Sequence, residues 1–357
     1  MNEKGRNILP MIGFILIVAV LMGGLAAAKG FGKNQLFDSN KKDNKSKTQT
    51  ISFSGYSIDE NGQVSTKGMD KISISAVNSE VKIETHHSDE VEAHFYGEVS
   101  TINKDALPYL EVVKEGKTAV VRIVHPNIVN ISITGKTWLD VKVPESWGDD
   151  LEVTSVSGSI NAPVLDGDRI QVSSVSGSIN VESINGENVY LNTTSGSLQI
   201  GTLVAAEMFE KSTVSGSFEV DVLEAGEVKL GSTSGSTTVR GGTTEKVTST
   251  SISGSVNMNL QEGSTELSTT SGGISVSFDK GFEDFKANSV SGSVTLQIPE
   301  DCEFKVNVNT ISGDINCDDF SMKTLSSEKN HLEAEVGDGE SNIEVHTTSG
   351  SVNIHKR

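Results

Sequence analysis

The chain has 357 residues, 29 Lys and Arg against 48 Asp and Glu, a formal net charge of −19, and only 5% aromatic residues. Eight of the basic and three of the acidic side chains fall in the first 47 residues, which leaves 21 against 45, a net of −24, for the rest. That balance excludes a nucleic-acid-binding surface built on phosphate contacts, and 35 glycines with few aromatics suit short strands and turns rather than long soluble helices.

After a short tail, residues 1–7, Ile8 to Ala28 runs for 21 residues without a charge, between Lys4 and Arg6 on one side and Lys29 on the other. The length suffices to span a bilayer, and the segment is read as a retained transmembrane signal anchor. The alternative is a secretory signal peptide cut after Ala28, where Ala26, Ala27 and Ala28 satisfy the small-residue rule. Residues 29–50 are polar, lysine-rich and aperiodic, as in a flexible linker. Lysines 29, 33, 41, 42, 45 and 47 follow the span, and a strict positive-inside count therefore turns the remainder to the cytoplasm. A Ser/Thr/Asn-rich repeat behind an amino-terminal signal is typical of exported surface proteins, so the expectation is a single-pass cell-membrane protein with its repeats outside.

Residues 51–150 show apolar alternation, as in Ile72/Ile74, Val81/Ile83 and Leu139/Val141/Val143, without a repeated motif. They are read as a capping β region. From residue 151 to 357 a Ser-Gly-Ser-type motif recurs, with glycines at Gly158, Gly177, Gly196, Gly216, Gly235, Gly254, Gly272, Gly292, Gly313 and Gly350. The intervals are 18 to 21 residues until the last, which is 37, about two periods. Such a period marks a stacked architecture.

Two and four residues after the glycine stand apolar side chains, such as Ile160 and Ala162 or Ile179 and Val181, with Thr237 the one exception, which is strand periodicity. Before it, apolar positions lie seven and five back, as in Leu151 and Val153, with Ser or Thr three back and a β-branched residue two back. The phase change between those last two positions predicts a corner that keeps apolar side chains inward, with a ladder of hydroxyls along it and glycine supplying a positive φ or a close backbone approach. Asp166-Gly167 and Asn185-Gly186 punctuate the middle of the repeats as turns. The fold class expected is all-β, a β-solenoid of about 19-residue rungs; an antiparallel β-meander or sandwich is the alternative, because Asp-Gly and Asn-Gly also make hairpin turns. Asp318 to Glu340 reads as an insertion or degenerate rung. The final strand, Ser351 to Ile354, ends in His355-Lys356-Arg357, charges that would guard an exposed sheet edge.

Candidate chemistry is sparse, and no cofactor, metal or catalytic residue is assigned. Cys302 and Cys317 are out of register for a disulfide and read as small buried hydrophobes. His86 and His87 beside Glu84 and Asp89 would point to opposite faces of a strand, unlike a metal site. The serines belong to the repeat, with no Gly-x-Ser-x-Gly among them. Outward positions three after the glycine are rich in amides, namely Asn161, Asn180, Gln199, Asn257, Asn316 and Asn353, with Glu219, Thr238, Ser275 and Thr295 in the remaining copies. They read as a flat amide and hydroxyl contact face without an acid pair. Trp138 and Trp147, the only tryptophans, precede the repeats, so no aromatic platform along the rod is expected.

Val143-Pro144 leading into Leu151 to Ile160, the core Thr310 to Ile315 and the closing Thr347 to Val352 resemble the bacterial putative adhesin family of β-strand-repeat proteins of unknown function. The resemblance spans roughly residues 50 to 357 and implies an envelope-associated, anchored or exported protein, with no catalytic residue to carry over. Three functions follow as expectations. The first is a non-enzymatic membrane-anchored surface protein, adhesin-like or an envelope-stress scaffold, whose partner is an envelope polymer or envelope protein. A cytoplasm-facing accessory of a membrane complex is the second, and a carbohydrate-active solenoid enzyme the third.

Overall fold

The computed structural model describes residues 54–126, 133–317 and 319–357; the expectations placed on residues 1–7, 8–28 and 29–50 lie outside them. Among the described residues no helix is long and apolar enough to cross a membrane. Seven strands precede the regular repeats: β1 (Ser54–Ser65), β2 (Lys71–Ala76), β3 (Glu80–His86), β4 (Glu90–Thr101), β5 (Tyr109–Glu115), β6 (Thr118–Val124) and β7 (Ile133–Pro144). In β2 the alternation is complete, with Ile72, Ile74 and Ala76 buried and the residues between them turned out. β2, the turn at 77–79 and β3 together make a first rung that lacks the glycine corner.

The regular rungs are β8 (Asp150–Ser155), β9 (Ile160–Ser174), β10 (Ile179–Thr193), β11 (Leu198–Thr213), β12 (Phe218–Ser232) and β13 (Thr237–Ser251). Each long strand pairs in parallel with the next, so that Ile160, Ile179, Leu198, Phe218 and Thr237 form one physical column. This is the β-solenoid; in the antiparallel alternative those neighbours would run in opposite directions. The first half of each long strand lies in a front sheet and the second half in a back sheet, with a bend at Gly167 and its counterparts. Ile160 and Ala162 from the front meet Ile170 and Val172 from the back in one continuous core. Further along, the bend breaks the strand in two, giving β14 (Val256–Leu260) with β15 (Ser264–Thr269), β16 (Ile274–Phe278) with β17 (Asp284–Ser289), and β18 (Val294–Ile298) with β19 (Phe304–Thr310).

The carboxyl end departs from the sequence reading. β20 (Ile315–Asn316), β21 (Lys323–Glu328), β22 (His331–Val336), β23 (Ser341–Thr347) and β24 (Val352–Lys356) complete the chain. β23 lies between β17 and β19, and β24 between β18 and β20, all parallel. The last rung in sequence is therefore inserted below the rung that precedes it. His355 and Lys356 guard no free edge, and both instead contact Asp319 of the overlying loop. The segment after Cys317 supplies the antiparallel hairpin β21–β22, which closes the back sheet on β19. The opposite end is closed the same way, by β4 and β1 on β7 and by β5 on β6. These antiparallel strands cap both sheets at the amino end and the back sheet at the carboxyl end, where the front sheet ends in the two-residue β20. They so limit the open parallel edge that would invite end-to-end growth.

The corners also depart from the expected inward packing of their β-branched residues. The side chain three before the glycine points inward and the β-branched residue two before it points out, leaving Ile252 49%, Val290 48% and Ile311 69% exposed. The inward slot is taken by the hydroxyl, which is needed to bond the turn. Two successive outward residues, two and one before the glycine, absorb the change of phase.

Candidate functional site

The corner glycines form a single stack. A Cβ on Gly177 would lie 2.0 Å from the Gly158 carbonyl oxygen, on Gly216 1.8 Å from that of Gly196, and on Gly235 1.9 Å from that of Gly216. The same contact runs from Gly350 to Gly292 and from Gly313 to Gly350, which traces the inserted last rung. None of these glycines has positive φ. Close approach of backbone to backbone is what requires glycine here. The hydroxyl three residues earlier works inside its own turn: Thr213 Oγ1 accepts from Gly216 N at 3.0 Å, Ser251 Oγ from Gly254 N at 2.9 Å, and Ser155 Oγ donates to Gly158 O at 2.6 Å. The rungs are joined instead by main-chain bonds, such as Ser176 N to Val156 O at 2.8 Å and Ile179 N to Ser197 O at 2.9 Å. The inward corner hydroxyls are accounted for by turn geometry except at Ser174, whose buried Oγ has no hydrogen-bond partner.

The amide positions all face outward on the front sheet because they alternate with the inward columns. Asn180 Nδ2 donates to Asn161 Oδ1 at 2.9 Å, and Asn161 Nδ2 to Glu80 Oε1 at 3.1 Å. Gln199 continues the column beside Asn180. Asn257 is separated from it by Glu219 and Thr238, and Asn353 pairs with Asn316 at the far end. Beside the amides, two residues further along each strand, Glu182, Gly201 and Asp221 follow one another. A hollow of about 700 Å³ lies here, lined by Lys82, Glu84, Asn161, Asn180, Gln199 and Gly201. The face does carry an acid pair: Glu219 and Asp221 flank one guanidinium, with Arg240 Nε 3.1 Å from Asp221 Oδ1 and Arg240 also bonded to Glu219. The two acids stand two residues apart on one strand, in adjacent outward columns.

Trp138 likewise belongs to this face. In register it lies opposite Glu80 and Tyr96, and its neighbour Asp140 lies opposite Lys82, which in turn pairs with Asn161. His94 stacks on Tyr96 with centroids 4.5 Å apart, and Tyr96 on Trp138 at 5.6 Å and 18°. Tyr96 Oη donates to Asp140 at 3.3 Å, and the burial and anionic surroundings raise the Tyr96 pKa above its ordinary value. An aromatic terrace therefore heads the amide column, although its members precede the repeats in sequence. The outward phase of His94 and Tyr96, either side of buried Phe95, was the available signal. Gly97 and Gly135, both at positive φ, let β4 and β7 approach closely, a Cβ on Gly97 lying 2.3 Å from Lys136 O and on Gly135 2.1 Å from Glu98 O, and they line a hollow of about 770 Å³ with Tyr56 and Trp138. Trp147 is buried at the turn into β8.

The remaining candidates fall apart. His86 Nε2 contacts Glu90 O at 2.7 Å while His87 Nδ1 meets Glu145 at 2.7 Å. Among the described residues no group of three or more His, Cys, Asp or Glu could hold a metal ion. Cys317 is buried as expected, Cys302 only half-buried, no disulfide joins them, and burial pushes the Cys302 pKa up. Sequence reading passed over Lys211, an inward residue in a leucine column between Leu191 and Leu230. Only 1% exposed, its Nζ donates to Thr237 Oγ1 at 3.1 Å and lies 5.5 Å from the Phe218 ring, and burial lowers its pKa to about 7.

Solved structures similar to this chain include a putative adhesin from Parabacteroides distasonis, 12% identical over 86% of this chain and 98% of that one, with a TM-score of 0.40. Another is a putative adhesin from Parabacteroides merdae, 13% identical over 84% and 96%, TM-score 0.39. A putative lipid binding protein from Parabacteroides distasonis is 15% identical over 84% and 96%, TM-score 0.34. No curated protein matches the sequence. The Toastrack DUF4097 family matches twice, over residues 69–209 and 202–355, so that nearly the whole described chain, stacked rungs and first rung alike, belongs to the Toastrack DUF4097 family.

Proposed function

We propose that the protein is a non-enzymatic, membrane-anchored cell-surface β-repeat protein, adhesin-like or an envelope-stress scaffold, that holds an envelope polymer or envelope protein against its front sheet. Residues 8–28 supply the anchor, and the repeats stand outside the membrane. The observation that carries this reading is the outer surface of the front sheet: ordered columns of amides, hydroxyls and acid groups run the length of the stack and are held rigid by the glycine corners. A surface of that kind suits repeated weak contacts with a long or repetitive partner.

Replacing Asn161, Asn180, Gln199 and Asn257 together by Ala is expected to abolish retention of the protein on isolated envelope polymer while leaving its thermal unfolding unchanged. Undiminished retention would remove the front sheet from the mechanism. The lysines after Ala28 favour a second reading, a cytoplasm-facing accessory of a membrane complex. A carboxyl-terminal reporter active only outside the cytoplasm separates the two.

A further inference from the structure

The front sheet changes character at its amino-terminal end, where the aromatic terrace meets the amide ladder. We infer that Tyr96, Trp138, Asp140, Lys82, Asn161 and Asn180 form one binding strip for a neutral, extended polysaccharide, a proposal that rests on the front sheet being the adhesive surface.

Trp138, Lys82, Asn161, Asn180 and Gln199 lie on five successive strands of that sheet, β7, β3, β9, β10 and β11. Neighbouring strands are ~4.8 Å apart, so the strip runs for about 19 Å. Each step is comparable with the length of one pyranose unit, and a flat ribbon-like glycan laid across the strands meets a new side chain at every step. Sugars offer apolar ring faces and a fringe of hydroxyls. The half-exposed rings of Tyr96 and Trp138, near-parallel at 18°, supply the apolar partner at one end. The hollow beside Trp138, lined also by Tyr56, Gly97 and Gly135, leaves room for a ring there.

Along the rest of the strip the groups are hydroxyl partners. The ladder from Asn180 through Asn161 to Glu80 uses one N–H of each amide, leaving the second N–H and oxygen lone pairs for ligand hydroxyls. The same bonds, with Tyr96 tied to Asp140, hold the side chains in place before a ligand arrives, which lowers the ordering cost of binding. Lys82 is paired with Glu84 at 2.6 Å. Lys136 lies 6.0 Å from the Trp138 ring centroid and Arg240 sits between Glu219 and Asp221. Glu80, Glu84, Asp140, Glu182, Glu219 and Asp221 outnumber these cations and Lys82, so polyanionic polysaccharides are repelled and the ligand class is neutral.

The test is titration of the full-length protein, in a Trp147→Phe background that leaves Trp138 as the reporter, with chitohexaose and with cellohexaose. Either hexaose is expected to change Trp138 fluorescence saturably, and the corresponding disaccharide to bind more weakly because it covers fewer steps. Whichever hexaose binds more tightly assigns the ligand to N-acetylated or plain glycans. Trp138→Ala, followed by calorimetry, is expected to weaken binding about tenfold or more, Trp138→Phe to restore part of it, and Asn161→Ala with Asn180→Ala to weaken it without altering the far-ultraviolet spectrum. Polygalacturonate is expected not to compete. Absence of binding by both hexaoses, or unchanged affinity in Trp138→Ala and in the Asn pair, overturns the inference. If that protein is still retained on envelope polymer, the adhesive reading survives and only the glycan strip is wrong; if retention is lost from the quadruple variant alone, the partner contacts the amides without the rings.

Discussion

Gly235→Ala is the sharpest test of the fold's physical basis. A Cβ at that corner would sit 1.9 Å from the Gly216 carbonyl oxygen and 2.6 Å from its carbon, where contacts below 3.0 Å essentially never occur. Both atoms are backbone, so relief requires the rungs to part by an ångström or more. That movement breaks the three main-chain bonds spanning the corner, Thr233 N to Thr213 O at 3.2 Å, Ser234 N to Val214 O at 2.8 Å and Phe218 N to Ser236 O at 2.9 Å. At about 1 kcal/mol each the loss is about 3 kcal/mol.

Gly231, in the same rung, is the control. A Cβ there meets nothing nearer than the Lys211 carbonyl at 3.7 Å, and Ala should be neutral or stabilise by about 0.4–1 kcal/mol through the unfolded chain. Urea unfolding monitored by circular dichroism is expected to show a lower midpoint for Gly235→Ala and none of that loss for Gly231→Ala. Equal midpoints for Gly235→Ala and the parent would refute the claim that backbone approach, rather than turn conformation, demands glycine.

Two further outcomes are expected. Lys211 has a folded pKa of about 7 against an ordinary 10.5 because it is buried, so between those values the unfolded chain binds a proton that the native chain lacks and stability rises with pH. Lys211→Met is expected to gain up to roughly 5 kcal/mol at pH 7, the gain shrinking towards pH 10.5; parallel stability profiles for the two proteins would rule this out. Deleting residues 341–357 removes an interior rung and exposes β17, β18, β19 and β20 at once. Limited proteolysis should then cut throughout residues 284–316, whereas loss of a merely terminal rung would leave β17 and β18 protected.

Much of the architecture was legible from spacing. The alternation at Ile160 and Ala162, repeated every 18 to 21 residues, favoured parallel in-register columns, because identical rungs bury identical side chains when stacked without a shift. The Asp-Gly and Asn-Gly pairs left an antiparallel arrangement open until the strand pairing decided it. The outward amides were legible for the same reason. Val156 and its counterparts were misplaced because composition alone does not say whether a hydroxyl or a methyl occupies the inward slot at a turn; the bond from Gly216 N to Thr213 decides it. Lys211 was invisible because a lysine in an inward column reads as an interruption, not as a buried amine.

Local alternation and period are short-range properties, written in the order of the residues, and they determined the rung, its corner and the outward amides. The order of the rungs is a long-range choice. The 37-residue interval before Gly350 was equally compatible with a rung added at the end and a rung inserted beneath its predecessor, since both bury the same columns. Only the packing of the β21–β22 hairpin over β19 selected the second. In the same way only the β4–β7–β3 pairings carried Trp138 and Tyr96 to the head of the amide ladder. Side chains about 40 residues apart in sequence share one surface because a sheet joins strands by hydrogen bonds, without regard to their distance along the chain.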